Sequence, residues 1–158
     1  MNHTPNSIFK QISIIHIALC IGTAIVVGIL YTIKAQNNEV ISSTEGMNIL
    51  ELVVPAMALL SFALAYYLGK NRYKKIDTDL SLSDKLNIYK ANNIILWAAL
   101  EGSAFFAAIA FYLTGRNNLL LYAVMLAVLL IYFRPLKTRA IEDLKLSQAE
   151  SEELDTTL

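Results

Sequence analysis

The stretch ISIIHIALCIGTAIVVGILYTI, residues 12–33, decides the fold class of this chain. It runs for 22 positions without a Lys, Arg, Asp or Glu. As an α-helix it would be about 33 Å long, which matches the roughly 30 Å hydrocarbon core of a bilayer. The run is longer than the apolar region of a cleaved signal peptide, and no small-residue cleavage site precedes Lys34. We therefore expect it to be retained as a membrane anchor.

Three further apolar stretches follow, at Leu52–Gly69, Ile94–Gly115 and Asn117–Phe133, and Glu101 is the one charged residue inside them. Adding glycine to the 56% of hydrophobic residues makes the chain about 60% apolar, above the ~45–50% of a soluble domain. The sequence therefore predicts an all-α membrane protein with one domain over residues 1–158. We expect its four transmembrane helices at about residues 12–33, 50–69, 94–114 and 118–134, and we expect Pro135 to stop the last of them.

The basic residues fall mainly on one side of these predicted spans. The two connectors on the other side contain only Lys34 and Arg116. Cytoplasmic connectors carry the excess of Lys and Arg, so both termini and the middle connector are expected in the cytoplasm. The basic residues assigned to the cytoplasmic side are Lys10, Lys70, Arg72, Lys74, Lys75, Lys85, Lys90, Arg134, Lys137, Arg139 and Lys145.

The two halves of the chain, about residues 8–83 and 88–147, look like copies of each other. Each would begin and end on the same side of the membrane, as two tandem helical hairpins related by a parallel repeat. The alternative is chance similarity between apolar helices. A shift of 80 positions superposes Ile8-Phe9-Lys10 on Ile88-Tyr89-Lys90 and Gly22-Thr23-Ala24 on Gly102-Ser103-Ala104, and a shift of 64 positions superposes Asp79-Leu80 on Asp143-Leu144.

Small residues recur at equivalent positions of the first and third spans. Ala18 and Gly22 in the first span correspond to Ala98 and Gly102 in the third. Two small residues four positions apart let helix backbones approach closely in lipid. We therefore expect the first and third spans to pack against each other at these four residues.

Glu101 is the one charged residue inside the four apolar stretches. It lies about 5 Å from the expected centre of the bilayer, where an acidic residue costs roughly 2.5–3.5 kcal/mol to insert. One interpretation is a carboxylate that handles a proton or cation, or contacts a ligand. The other is a protonated acid that is hydrogen bonded to a neighbouring helix.

His16 is the one histidine inside a predicted span, and it is the second candidate for an intramembrane functional residue. In the register of the repeat it lies about 7–8 Å from the depth of Glu101, so a direct bond would need a vertical shift or a water molecule. A proton relay with Glu101 is one interpretation, and an anchor near the lipid headgroups is the other.

No sequence motif predicts an enzyme, a metal site or a cofactor. The chain has one cysteine, Cys20, and two histidines, so an intramolecular disulfide is excluded and a metal cluster is not expected. There is no glycine-rich phosphate loop, and no serine, histidine and carboxylate share one membrane depth. The 13 basic and 13 acidic residues balance, so the net charge gives no information about nucleic acid, and no nucleic-acid partner is expected. The partners expected are the lipid bilayer and other membrane proteins.

Two polar segments allow further expectations. Residues 73–93 carry lysines among apolar residues, which is typical of an amphipathic segment on an anionic leaflet or of a solvated connector. The acidic tail, Ser147–Leu158, is expected to be a frayed helix end.

The stretch LWAALEGSAFFAAIAFYLTG, residues 96–115, with Arg134-Pro135 and IEDLKL at Ile141–Leu146, resembles a group of uncharacterised small four-span membrane proteins of bacteria. That resemblance implies a multi-pass protein of the bacterial inner membrane and no particular activity. The ALEG stretch is also similar to the carboxylate helix of rotary ATPase proteolipid subunits. Those proteins carry the acid on the second helix of a hairpin, whereas Glu101 is on the first.

These observations favour a structural or interaction component of the membrane that associates with itself. Four helices cannot bury every small-residue face, and Ala99, Ala107 and Ala108 are expected to be left for a second copy. The alternative function is a proton- or cation-coupled transporter or channel subunit that uses Glu101.

Overall fold

The computed structural model describes residues 4–36, 45–73, 76–77 and 80–155. Within these residues the chain is 89% helical and has no strand, which confirms the predicted all-α class. This part of the chain forms six helices: α1 Pro5–Gln36, α2 Glu45–Arg72, α3 Leu82–Thr114, α4 Asn117–Tyr132, α5 Lys137–Leu144 and α6 Gln148–Asp155.

Two of these helices, α1 and α3, are long and apolar enough to cross a membrane. A third span results if α4 and α5 are taken together, although they are bent by 76° with respect to each other. The apolar part of α2 is shorter, at Ile49–Leu64. Only 17% of the most apolar window of α1 is buried, so its apolar side chains face outwards. Exposed apolar surface of this extent indicates contact with lipid or with another protein.

Local sequence signals explain where α3 begins and where α3 and α4 end. The hydroxyl of Ser81 accepts a hydrogen bond from the backbone N–H of Asp84 at 3.2 Å and caps the start of α3. Gly115 ends the helix with φ of 70°, and its N–H donates to the Phe111 carbonyl. Helix α4 stops at Tyr132, three residues before Pro135, as the predicted helix stop at this proline requires.

Helix α3 is the centre of the bundle and packs against α1, α2 and α4. It runs parallel to α1, because Lys90 donates a hydrogen bond to Gln11 at 2.9 Å near the start of both helices and Glu101 lies beside Gly22 farther along both. Helices α2 and α4 run in the opposite direction. We call the end where α1 and α3 begin the basal end, and the end where they finish the distal end.

The sequence predicts two tandem helical hairpins. The first of them, formed by α1 and α2, differs from the observed arrangement. Among the described residues, α1 and α2 barely touch each other, whereas α3 and α4 pack along their length. The physical reason is that α3 takes both α1 and α2 as neighbours on different faces. The packing around the two halves is therefore not symmetric.

Two layers of buried side chains hold the bundle together. The basal layer joins all six helices, and its fully buried members include Ile12, Leu86, Trp97, Leu100 and Leu154. The distal layer joins α2, α3 and α4 through Val54, Ala107, Ala108, Phe111, Leu119 and Ala123.

The distal layer corrects one expectation about self-association. Ala107 and Ala108 are fully buried in this layer, because α2 and α4 cover the face of α3 on which they lie. They are not available to a second copy of the chain.

The structure also corrects the view of residues 73–93 as a surface connector. Helix α3 begins at Leu82, so the second half of this segment is its first three turns. Lys85 and Leu86 are buried there, with Lys85 only 3% exposed. Helices α5 and α6 cover this part of α3, which explains why it is removed from solvent.

The acidic tail is packed where the structure describes it, which differs from the expected frayed end. Residues 148–155 form α6, and the Leu154 side chain is fully buried in the basal layer. Glu150 forms an ion pair with Lys85 at 2.7 Å. This contact and the burial of Leu154 fasten α6 to the basal end of the bundle.

Candidate functional site

Glu101 lies half-buried on α3, on the side that faces α1. A Cβ atom built on Gly22 would be 3.8 Å from its Oε1 atom, an ordinary van der Waals contact, so the carboxyl group packs beside Gly22. Cys20 of α1 is close enough to interact electrostatically with the carboxyl group. The acid is thus held between two helices, close to the backbone of α1.

Thr23 of α1 lies close to Glu101. Its side chain is fully buried, and its hydroxyl donates to the Leu19 carbonyl at 2.9 Å. A hydroxyl has only one proton to donate. This proton is engaged within α1, so while it bonds to Leu19 the hydroxyl does not donate to the carboxyl group of Glu101.

His16 is buried one turn before Cys20 and bonds to a different group. Its Nε2 atom donates to the Leu130 carbonyl at 2.9 Å, and its ring lies 4.7 Å from that of Trp97. The Cys20 Sγ atom is 3.6 Å from Nε2, so Cys20 stands between His16 and Glu101 along α1. Within the described residues no hydrogen bond joins His16 directly to Glu101.

The end of α4 explains the partner of His16. The last carbonyl groups of a helix have no backbone donor within that helix. His16 donates to Leu130, and the Trp97 Nε1 atom donates to the Phe133 carbonyl at 2.9 Å. Side chains from α1 and α3 thereby fasten the basal end of α4.

The four small residues that the sequence predicts at the contact of α1 and α3 are placed differently from one another. Gly22 lies at the contact, opposite Glu101. Ala18 and Ala98 are exposed, and Gly102 has no neighbouring side chain within 4 Å. Because Glu101 turns towards α1, the next residue, Gly102, points about 100° away on the helix. The close approach therefore joins a glycine to an acid instead of two glycines.

A second contact in the middle of the bundle was not predicted. The hydroxyl groups of Ser61 on α2 and Ser103 on α3 lie 2.5 Å apart. Sequence alone fixes no register between α2 and α3, so it could not pair these residues. The signal that could have found them is a hydroxyl at similar depth in each span.

The distal end is held by polar contacts. Glu51 of α2 forms an ion pair with Arg116 at 2.6 Å and accepts a hydrogen bond from Asn118 at 3.1 Å. The side chain of Lys34 passes within contact distance of Gly115. These contacts join the start of α2 to the short connector between α3 and α4.

Two cavities open at the basal end, and Arg134 lines both. The basal cleft, about 380 Å³, lies between α1 and the end of α4 and is lined by Ser13, His16, Ile17, Ile21 and Ile131 among others. The tyrosine pocket, about 480 Å³, is lined by Tyr66, Tyr73, Tyr89 and Tyr132, together with Arg139 and Asp143. The sequence predicts neither cavity, because each is formed by residues from at least two separate helices.

Beyond the basal cleft, a lateral groove of about 380 Å³ continues between α1 and α4. It is almost entirely apolar, and Ile131 lines both the groove and the cleft. Gly28 lies in the groove and has no neighbouring side chain within 4 Å.

The described residues supply contacts between helices and one half-buried acid, Glu101, within the helix bundle. No three His, Cys, Asp or Glu side chains in this part of the chain come together as a metal site. Comparison of the whole chain with protein-family models, with characterised proteins and with solved structures finds no match.

Proposed function

We propose that this chain is a four-span protein of the bacterial inner membrane that acts as a structural or interaction component and not as an enzyme. Both termini and the basal end lie in the cytoplasm. The outward apolar face of α1 and the long apolar helix α3 support the membrane placement. Arg134, Lys137, Arg139 and Lys145 follow α4 at the basal end, as the positive-inside rule requires of a cytoplasmic side.

Helices α2 and α4 supply the other two spans in this proposal. The 28 residues of α2 would cover about 42 Å, and the 16 residues of α4 about 24 Å. The shorter α4 can still span because Arg134 extends its reach to the headgroups. The alternating direction of the four helices supports this topology.

In this proposal the two halves of the chain, residues 8–83 and 88–147, descend from one duplicated hairpin. Gln11 contacts Lys90, and Gly22 contacts Glu101, so residues 79 positions apart lie at one depth of α1 and α3. The sequence repeat has a shift of 80 positions, which is the same register within one residue. Equivalent residues of the two halves thus lie at similar depths of α1 and α3, although the contacts of α2 and α4 differ.

One observation favours an interaction component over a conducting pore. The distal half of the bundle is closed by an apolar layer in which Ala107, Ala108, Phe111, Leu119 and Ala123 are at most 4% exposed. No polar side chain in this layer continues from Glu101 towards the distal end among the described residues. An ion that reached Glu101 from the basal side would meet dry, close-packed side chains.

The topology can be tested with single cysteines in a Cys20→Ala background. Asn117→Cys lies at the distal end and Lys145→Cys at the basal end, and both positions are exposed. A membrane-impermeant maleimide should label Asn117→Cys in intact cells and Lys145→Cys only after permeabilisation. Labelling of Lys145→Cys in intact cells would contradict the proposed orientation.

Self-association is the second part of this proposal. With Ala107 and Ala108 buried, Ala98 and Gly102 are two exposed small residues of α3 that lie four positions apart on one face. Native mass spectrometry in mild detergent should show a dimer or higher oligomer that Gly102→Leu disrupts. A parent protein that is monomeric at all concentrations would exclude self-association.

A proton- or cation-coupled transporter is the second candidate function. The observation that favours it is the basal cleft, which reaches His16 and Cys20, next to Glu101. Glu101→Gln should then abolish proton- or cation-dependent flux in liposomes, and Glu152→Gln at the exposed tail should leave it unchanged. Absence of flux in the parent protein would contradict this candidate.

A further inference from the structure

We propose that the basal cleft binds one anionic phospholipid of the surrounding leaflet, with its phosphate group at Arg134 and an acyl chain along α1. This inference rests on the membrane placement proposed above. It goes beyond a structural or interaction role, because it assigns a lipid ligand to the basal cleft.

Arg134 is the cation that lines the basal cleft. It is exposed, and its guanidinium group makes no ion pair with a described residue. A guanidinium group presents a planar fork of N–H donors that matches the oxygens of a phosphate. Arg134 therefore has the charge and the geometry to hold a lipid phosphate where α4 meets the headgroups.

The neighbouring basic residues are already engaged. Arg139 lies over the Tyr132 ring at 5.1 Å and donates to the Tyr132 carbonyl. Lys137 donates to the Leu154 carbonyl, and Lys85 pairs with Glu150. Asp143, the acid that lines the tyrosine pocket, interacts with Arg139. These contacts hold their charges in place and leave Arg134 to an external anion.

The cleft next to Arg134 has the chemistry of an acyl-chain site. Its far wall is formed by Ile17 and Ile21 of α1 and Ile131 of α4. From Ser13 to Ile21 the cleft follows about 12 Å of α1, close to the half-thickness of a bilayer core of about 30 Å. A chain anchored at Arg134 would thus end near the middle of the membrane, where the lateral groove begins.

Polarity along the cleft selects a lipid over a helix from a second copy. Arg134 lies at the basal end of the cleft, and Ile17, Ile21 and Ile131 lie farther along α1 and α4 from that end, which is the order of groups in a phospholipid. A packed helix would bury the Arg134 guanidinium without supplying a counter-charge, and an unpaired buried charge is costly. Basic pockets between spanning helices on the cytoplasmic side are a known form of lipid site.

The test is native mass spectrometry of the full chain in detergent, with phosphatidylglycerol or phosphatidylcholine of identical acyl chains added. One phosphatidylglycerol should be retained per chain, at least about tenfold more tightly than phosphatidylcholine, a difference of about 1.4 kcal/mol. Arg134→Gln should remove this preference. Lys145→Gln, which deletes an exposed cation from the same end but outside the cleft, should not.

A second pair of variants tests the acyl-chain part of the site. Ile17→Trp should fill the cleft and lower retention of phosphatidylglycerol, whereas Ile14→Trp should leave it unchanged. Ile17 and Ile14 are 57% and 56% exposed on the same helix, so the two changes disturb the fold to a similar extent. Only Ile17 lines the cleft.

Three outcomes would overturn the proposal: equal retention of the two lipids, unchanged retention in Arg134→Gln, or displacement of the lipid by inorganic phosphate at millimolar concentration. Formation of a dimer that Ile17→Trp disrupts, without bound lipid, would assign the cleft to a second copy. These results are separate from the maleimide labelling, which tests the topology and does not depend on bound lipid.

Discussion

At the scale of single residues, Gly22 of α1 and Glu101 of α3 form a contact between these two helices. The carboxyl group lies next to position 22, where a side chain much larger than alanine would extend. Thr23 and Cys20 of the same helix also lie near it. The half-buried Glu101 thus packs against the backbone of α1.

A larger residue at position 22 is therefore expected to separate α1 from α3. Gly22→Leu should destabilise the protein by about 1–3 kcal/mol, as overpacking does in other cores. Gly28→Leu on the same helix is the matched control, because it meets no neighbouring side chain within 4 Å. Thermal unfolding in detergent should show a lower Tm for Gly22→Leu alone. Equal Tm values for the two variants would contradict the proposed contact.

His16 is expected to act through the end of α4. His16→Phe keeps a ring beside Trp97 but removes the donor to the Leu130 carbonyl, which should cost about 1–3 kcal/mol. His16→Gln retains an N–H donor and should recover part of the loss. Amide hydrogen exchange at the end of α4, residues 129–133, reports the effect. Protection that is the same in His16→Phe and the parent would exclude this role.

At the scale of elements, α6 shows how a short polar helix is held in place. Ser147 and Glu150 exchange hydrogen bonds, each side chain bonding to the backbone N–H of the other, which is the capping box that starts a helix. The carboxyl group of Glu150 also binds Lys85 of α3. The capping box can be read from the sequence, whereas the ion pair joins residues 65 positions apart and cannot.

The Lys85–Glu150 pair is expected to make the docking of α6 depend on pH. Burial opposes ionisation of Glu150, but the bonds from Lys85 and Ser147 outweigh it and lower the pKa of Glu150 below its usual value. A carboxyl group with a lowered pKa in the folded state stabilises that state above its unfolded pKa, about 4.3. This stabilisation should decrease as the pH falls below the unfolded-state pKa and should be lost once the pH is below the lowered pKa of Glu150 in the folded state. Hydrogen-exchange protection of residues 148–155, corrected for intrinsic rates, should decrease in that range.

The control for this pH dependence is Glu150→Gln. Glutamine also completes a capping box, so the change removes the ion pair but keeps the start of the helix. It leaves Lys85 buried without a counter-charge, which should cost about 3 kcal/mol and abolish the pH dependence. The double variant Lys85→Met with Glu150→Leu should recover most of the stability. A pH response that persists in Glu150→Gln would contradict this account.

Other element boundaries show where sequence reasoning succeeds and fails. The end of α4 before Pro135 follows from the geometry of proline and was predicted. The start of α3 was not predicted. This helix begins at Leu82, twelve residues before the predicted span, and Ser81 and Asp84 form a local cap there. A polar helix turn is stable only when another element covers it, and α5 and α6 supply that cover.

At the scale of the whole molecule, α3 is the helix on which the other helices pack. Ala108→Leu, in the distal layer, should therefore destabilise the bundle by about 1–3 kcal/mol, since α2 and α4 leave no space around it. Ala91→Leu, at an exposed position of the same helix, should have little effect. Unfolding in detergent distinguishes the two variants. If Ala108→Leu unfolds like the parent, the distal layer is not close-packed.

The sequence by itself determined the helical class, the apolar stretches that became α1 and α3, and the stop of α4 at Pro135. These features depend on hydrophobicity and backbone geometry within a few adjacent residues. Only the tertiary structure decided that α3 is central, that Glu101 faces Gly22, that His16 bonds to Leu130 and that Arg134 lines two cavities. The reason is that apolar helices attract one another with little directional preference in lipid. Their register and neighbours therefore depend on side-chain contacts between residues far apart in the chain.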